Sequence, residues 1–375
     1  MENQASLFVN TSFIIGCTAM AIVFITLPLP SNKGLKKYRI SLRLLACAYL
    51  ALAILKASAM AFNLAPLNLL SLERLTISSL QASLFTIALI TLLRPGYITR
   101  RNLYIQIIPV FILNFIYWLV ASRWGSPVIT NYRELSEMAV HPSMLIREFY
   151  LLFYIAQLVY LTHIFKLQVR IYENEIDNYF ADSYRLHLSW VKYCYLASLS
   201  IGISAIIPCL IATESVLIVI TGLYTIFYLV FGICYIQYPS TYLYVEPVIY
   251  PTGNTLEETS KNNRRLEWEQ LKKIILIEKY YLNPEVNIED MARHLKIGRT
   301  TLSKFINNEE KMNFNGWINN LRIDEAKQIL LNFPKYTLIE ISEMVGYSES
   351  SNFSRQFKHI TNVSPSVWRL NFIAK

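Results

Sequence analysis

Ser350, Ser351, Asn352, Arg355 and Gln356 lie close together near the C-terminal end of the chain, in a stretch whose spacing predicts an amphipathic helix. Phe353 and Phe357, four residues apart, give that helix an aromatic face to bury. Every group on the polar face can donate or accept a hydrogen bond, and a helix so divided fits the major groove of DNA. Gly346 and Tyr347 close the helix before it, and Ser348 is placed to cap the new one. A surface helix of an ordinary soluble domain shows the same spacing, so its neighbours must decide.

The chain as a whole does not read as soluble. Its 375 residues are 54% hydrophobic and only 16% charged, where a soluble protein carries about 25% charge. The apolar excess is concentrated in the first two thirds. The formal charge is +9, and from Thr259 onward 18 Lys and Arg stand against 13 Asp and Glu. That modest basic bias suits DNA or a membrane surface. Cys17, Cys47, Cys194, Cys209 and Cys234 all lie in apolar runs without CxxC or Cys/His spacing, so they read as buried thiols and predict neither disulfides nor a metal site.

A hydrocarbon core of about 30 Å needs about 20 apolar residues in a helix. Such runs occur at 8–29, 42–62, 75–93, 103–121, 149–165, 190–211 and 216–236, which predicts seven spans. No basic residue precedes the first run, so it reads as a retained span and not a signal peptide. Lys33, Lys36, Lys37 and Arg39 load the first connection, Arg94, Arg100 and Arg101 the third, and Lys166, Arg170 and Arg185 the fifth. The fourth, 122–148, mixes Arg123, Arg133 and Arg147 with Glu134 and Glu137. Basic connections stay inside, so the N-terminus is expected outside and the C-terminus in the cytoplasm of a bacterial inner membrane.

Lys56 is the ionisable exception within the spans. It is a candidate for intramembrane signalling, against which stands snorkelling to the interface with Glu73 as partner. Ala53, Ala57 and Ala61 form a small-residue stripe suited to close helix packing. The fifth connection, 166–189, is expected to lie as an amphipathic segment on the inner membrane surface, anchored by Tyr179, Phe180 and Trp190, with a coupling role as the alternative.

After Ile236 the sequence turns polar and Pro-punctuated, and 238–264 reads as a linker between a membrane domain, 1–237, and a helical domain, 265–375. In that domain a first helix, about 266–281, offers Leu271, Ile274 and Ile275 to a core. Asn287 with Asp290 caps a short helix, a turn at Lys296, Ile297 and Gly298 leads to another with Leu302, Phe305 and Ile306 inward, and a long helix spans about 314–331. Thr337 and Glu340 form a capping box for 338–345. The order is helix-turn-helix, connecting helix, helix-turn-helix.

The second unit supplies Gly346, Tyr347, Glu349, Ser351, Phe353, Ser354, Arg355, Phe357, Lys358, Ser364, Pro365 and Arg369. In type and spacing these residues resemble the DNA-binding domain of the AraC family of transcriptional regulators, over roughly 266–371. The run from Trp317 to Ala326 is similar to the family's linker helix. Asn362 stands where glycine is usual, Trp368 replaces a Tyr or Phe, and Gly298 takes a position often held by serine. The expected fold is all-α: the apolar runs predict a seven-helix transmembrane bundle, and the resemblance implies that an AraC-type domain of two helix-turn-helix units joined by a long linker helix follows it. It also implies base contacts from Thr300, Ser303 and Lys304 in the first recognition helix and from Ser350, Ser351, Asn352 and Arg355 in the second. Arginine pairs bidentately with guanine and asparagine with adenine, each worth about 1–3 kcal/mol of discrimination. Arg299, Lys304 and Lys358 are equally suited to phosphate, which positions without specifying.

The expectation is a membrane-anchored, sequence-specific regulator that binds promoter DNA and whose spans, in contact with the lipid bilayer, sense a small-molecule or protein signal. A transporter or intramembrane enzyme with a regulatory helix-turn-helix domain, or a regulator whose membrane part is only an anchor, are the alternatives. Membrane chemistry usually needs several inward carboxylates or histidines. One lysine and His163 near a helix end do not supply them, so no catalytic residues, cofactor or metal are expected.

Overall fold

The computed structural model describes residues 2–29, 35–61, 68–97, 99–182, 186, 188–211, 213–237 and 261–373. Those residues form two compact units, one of Met1–Arg170 with Leu188–Glu246 and the other of Ile171–His187 with Pro247–Lys375. Most of the expected linker, with Lys33 and Arg185, lies outside the described residues.

In the first unit the helices are α1 (Glu2–Thr26), α2 (Lys36–Ala61), α3 (Leu72–Leu93), α4 (Arg100–Trp124), α5 (Tyr132–Glu137), α6 (Pro142–Asp177, whose residues from Ile171 on belong to the second unit), α7 (Ser189–Ser204), α8 (Ile207–Leu210) and α9 (Glu214–Ile236). Among the described residues, six helices (α1, α2, α3, α4, α6 and α9) are long and apolar enough to cross a membrane. The expected count was seven. The remaining run is divided: α7 has 16 residues, and α8 has 4 with a proline in its first turn. Pro208 has no N–H to return to a carbonyl four residues earlier, which is why the helix does not run through.

Tyrosine hydroxyls tie this unit together from within. Tyr38 donates to the Tyr235 carbonyl at 2.7 Å and Tyr49 to the Tyr228 carbonyl at 2.8 Å, bonding α2 to α9. Phe85 of α3 packs against Phe231 with ring centroids 4.6 Å apart. Without water to satisfy them, polar groups among apolar helices must find each other. Gln157 of α6 does so with both Ser79 and Ser83 of α3.

Several expectations for this unit change. Lys56 Nζ meets Thr221 Oγ1 at 3.5 Å, so its partner is on α9 and is not Glu73. Of the alanine stripe only Ala53 is buried, while Ala57 and Ala61 are exposed. Cys17 and Cys209 are buried, but Cys47 is exposed and all five cysteines are free thiols. Arg147, expected in an outer loop, is instead buried in the first part of α6. Its Nε and Nη2 donate to the Tyr117 hydroxyl at 3.1 and 2.6 Å, and Nη2 also to Ser126 at 2.7 Å.

The second unit contains α10 (Lys261–Glu278), α11 (Ile288–His294), α12 (Arg299–Phe305), α13 (Phe314–Asn332), α14 (Leu338–Met344), α15 (Ser350–Thr361) and α16 (Pro365–Ile373). Trp268, Leu271 and Ile275 form the buried side of α10, whereas Ile274, expected in the core, is largely exposed. Residues 171–187 of the stretch expected on a membrane surface also belong here. Tyr179, Phe180 and Ala181 are all buried, and Phe180 pairs with Asn287 in an isolated antiparallel bridge.

Candidate nucleic-acid interface

Each helix of the second unit starts and stops where its residues can satisfy the free backbone groups. Asn287 Oδ1 accepts from the N–H groups of Glu289 and Asp290 at the head of α11. Thr337 and Glu340 form the expected reciprocal box on α14, and the two Thr337 donors hold the Glu340 carboxyl below the usual range. Gly298 precedes α12 without a side-chain cap, as a glycine must. The cap position of α15 is Glu349, one residue beyond the expected Ser348, and it makes no side-chain cap bond. Asn362 ends α15 at φ 64°, the left-handed conformation that asparagine tolerates.

Two cores hold the two short-helix pairs. In the first, Trp268 packs on Trp317 and Phe305 with ring centroids 5.3 and 5.7 Å away. In the second, Ile323, Ala326 and Leu330 of α13 meet Ile341, Val345, Tyr347, Phe353, Phe357 and Trp368. Trp368 lies edge-on to Phe357 at 5.9 Å, so the substituted aromatic keeps its packing role. The long helix α13 contributes to both cores.

A buried polar column on α13 adds to that apolar packing. Arg322 is fully buried, donating from Nε to the Tyr281 carbonyl and from Nη2 to the Asn283 carbonyl, both at 2.8 Å. Its guanidinium lies 5.3 Å from the centre of the Tyr347 ring, and burial lowers its pKa. The Tyr347 hydroxyl donates to Asn319 Oδ1 at 2.6 Å, and burial raises that phenol's pKa. The first pair's entry segment, the linker helix and the second pair are thereby joined in one bonded set. Asn319 and Arg322 lie within the run expected as the linker helix, but their burial was not expected. The one available signal was polar residues at positions where helical periodicity demands core.

The candidate DNA-facing residues sort by exposure. Thr300 and Lys304 of α12 are exposed, and Ser303 is half-buried. On α15, Ser351, Arg355 and Lys358 are exposed and Ser350 is half-buried. Asn352 differs, with only 4% of its surface accessible. Its Nδ2 donates to Asp182 Oδ1 at 2.7 Å, and its Oδ1 accepts from Arg355 Nη2 at 2.5 Å. Arg299 is half-buried, with its guanidinium 4.6 Å above the Tyr179 ring. Among the described residues no cluster of His, Cys, Asp and Glu could hold a metal ion.

A family model described as a helix-turn-helix domain matches residues 291–371. The C-terminal unit carries an AraC-type helix-turn-helix domain. Over 112 residues the chain is 30% identical to the Msm operon regulatory protein of Streptococcus mutans serotype c, covering 30% of this chain and 39% of that protein. It is 30% identical over 105 residues to the HTH-type transcriptional regulator ExsA of Pseudomonas aeruginosa, covering 28% of this chain and 36% of that one. The match to the regulatory protein PocR of Salmonella typhimurium covers 33% of PocR. The chain thus spans well under half the length of these relatives. Among solved structures, the C-terminal domain of the response regulator AraT from Geobacillus stearothermophilus is 27% identical over 28% of this chain and 84% of that one, with a TM-score of 0.26.

Proposed function

We propose that this chain is a membrane-embedded transcriptional regulator whose C-terminal unit reads a specific DNA sequence with two recognition helices, α12 and α15. The observation that carries the reading is the bonded connection of both helix-turn-helix pairs through Arg322 and Asn319 of α13. Two recognition helices fixed by one connector suit successive major-groove segments about one turn apart. One chain would then read an asymmetric site.

Within it, Arg355, Asn352, Ser350 and Ser351 read bases from α15, and Thr300, Ser303 and Lys304 from α12. Arg299 and Lys358 hold phosphates. The side chains that reach solvent fit these roles, and the similarity of the C-terminal unit to transcriptional regulators supports them.

The six long apolar helices support membrane insertion. We read α7 and α8 together as a seventh, broken crossing, since at about 1.5 Å per residue the run from Ser189 to Leu210 reaches across a core of about 30 Å. The N-terminus is then outside, the C-terminal unit lies with the DNA in the cytoplasm, and the domains divide at a linker near 238–264. A reporter active only in the cytoplasm should work when fused after Tyr172 and fail after Thr130. The reverse pattern overturns this orientation. Replacing the membrane helices with one unrelated span separates sensor from anchor: lost signal response supports a sensor, unchanged regulation a tether.

A further inference from the structure

The fifth connection contributes a short segment to the DNA-binding unit, and four independent contacts seat it there. Its backbone pairs with the start of the first helix-turn-helix: Ala181 N–H donates to the Val286 carbonyl at 3.2 Å, and Ile288 N–H to the Tyr179 carbonyl at 2.8 Å. On the connector helix, Asn315 Nδ2 donates to the carbonyls of Phe180 and Ala181 at 3.2 and 2.7 Å. The Tyr179 ring lies under Arg299, and its hydroxyl donates to Glu289 Oε2 at 2.8 Å. Finally, Asp182 Oδ1 takes the Asn352 amide proton on the second recognition helix at 2.7 Å.

Those contacts fall on residues that DNA would need. The Asn352 Nδ2 proton that would go to an adenine edge goes to a carboxylate, and the Asn352 carbonyl is taken by Arg355. The Arg299 guanidinium that would face a phosphate faces an aromatic ring. An Asp182 carboxylate beside the recognition helix also disfavours an approaching polyanion, because the charges have the same sign. The segment is not a loose tail. It follows α6 directly, and that helix is unbroken from Pro142 to Asp177, including its apolar, membrane-length stretch.

We propose that Tyr179–Asp182 is an intramolecular strap, seated across both helix-turn-helix pairs, that competes with DNA for Asn352 and Arg299 and thereby holds the reader in a low-affinity state. The proposal rests on the DNA-reading function above. It assigns residues 179–182 of the fifth connection as an occupant of the DNA-reading surface, with a carboxylate standing in for nucleic acid at the second recognition helix.

The test uses the full chain in lipid nanodiscs and a duplex selected by the wild-type chain from a random-sequence library. Asp182→Ala removes the carboxylate, and Ala181→Glu cannot fit the fully buried site and ejects the strap from a second position. Both should bind the selected duplex about tenfold more tightly than wild type, the scale of losing one charge-assisted hydrogen bond from the closed state. Saturating duplex should also speed hydrogen exchange at the Ala181 and Ile288 amides. Unchanged or weaker binding by both variants, or exchange unaffected while DNA is bound, overturns the strap even if wild type reads DNA. If the library yields no preferred sequence for any form, the regulator reading fails and the strap fails with it.

Discussion

A β-carbon on Gly346 would lie 2.3 Å from the carbonyl oxygen of Leu282, closer than any real contact allows. Gly346 sits in the turn between α14 and α15, at φ +86°, while Leu282 ends the short turn after α10. The two halves of the DNA-binding unit therefore touch backbone to backbone at this point. Arg322 Nε lies 3.2 Å from the same absent β-carbon, so the space cannot open on that side.

Gly346→Ala should accordingly destabilise the unit by about 3 kcal/mol, combining left-handed strain with the collision. Gly298 offers the contrast. Its φ is −74°, and an added β-carbon would meet only Thr301 Oγ1 at 3.6 Å. Gly298→Ser should raise stability by a few tenths of a kcal/mol through a better N-cap, about the difference between those cap residues. Thermal denaturation monitored in the C-terminal unit distinguishes the two.

Arg322 gives a second stability prediction. Arg322→Met fills a similar volume but leaves the Tyr281 carbonyl without its donor and the Asn283 carbonyl with only the Val286 N–H. A loss of about 1–3 kcal/mol is expected, from the one buried acceptor left unsatisfied. Arg322→Lys should rescue little, since one ammonium does not reproduce the fork that reaches both carbonyls. Equal stability of Arg322→Lys and wild type in a denaturant titration would refute the bonded column.

The alkaline limb of stability should carry a signature from Tyr281. Burial, with Glu325 adding to it, pushes the Tyr281 phenol up to about 12 from its usual 10. Folding therefore favours the neutral phenol. Its contribution is complete below pH 10 and disappears as the pH rises towards 12. Tyr281→Phe should flatten the stability profile between those values, seen in melting temperatures measured across the range.

The second helix-turn-helix was legible in sequence because short-range rules write it. Phe353 and Phe357 share a face by spacing alone, Thr337 and Glu340 announce a helix start, and Asn362 marks a left-handed stop. What escaped was set by contacts distant in sequence. Nothing local around Asp182 or Tyr179 reveals that they meet Asn352 and Glu289, 170 and 110 residues away. An aromatic pair beside charges reads as a membrane anchor until its partner is seen. The same blindness explains Lys56, whose partner Thr221 lies 165 residues on. The break in the sixth apolar run escaped differently, because composition registers Pro208 as one residue in a long window while the backbone registers it as an interruption.

Lys358 and Arg355 should separate the two ways of holding DNA. Lys358→Ala should weaken binding to all duplexes alike and reduce the slope of log affinity against log salt by about one. The ratio between selected and scrambled duplex should survive. A changed ratio would move Lys358 from phosphate to base contact.

Arg355→Ala tests the central claim most directly. In the full chain, binding to the selected duplex and to its scrambled counterpart should be measured across salt for wild type and variant. Sequence-specific reading by α15 predicts that the variant loses about 1–3 kcal/mol of discrimination while keeping its salt-dependent, non-specific binding. Identical discrimination by wild type and variant, or equal binding of both duplexes by wild type, would contradict it.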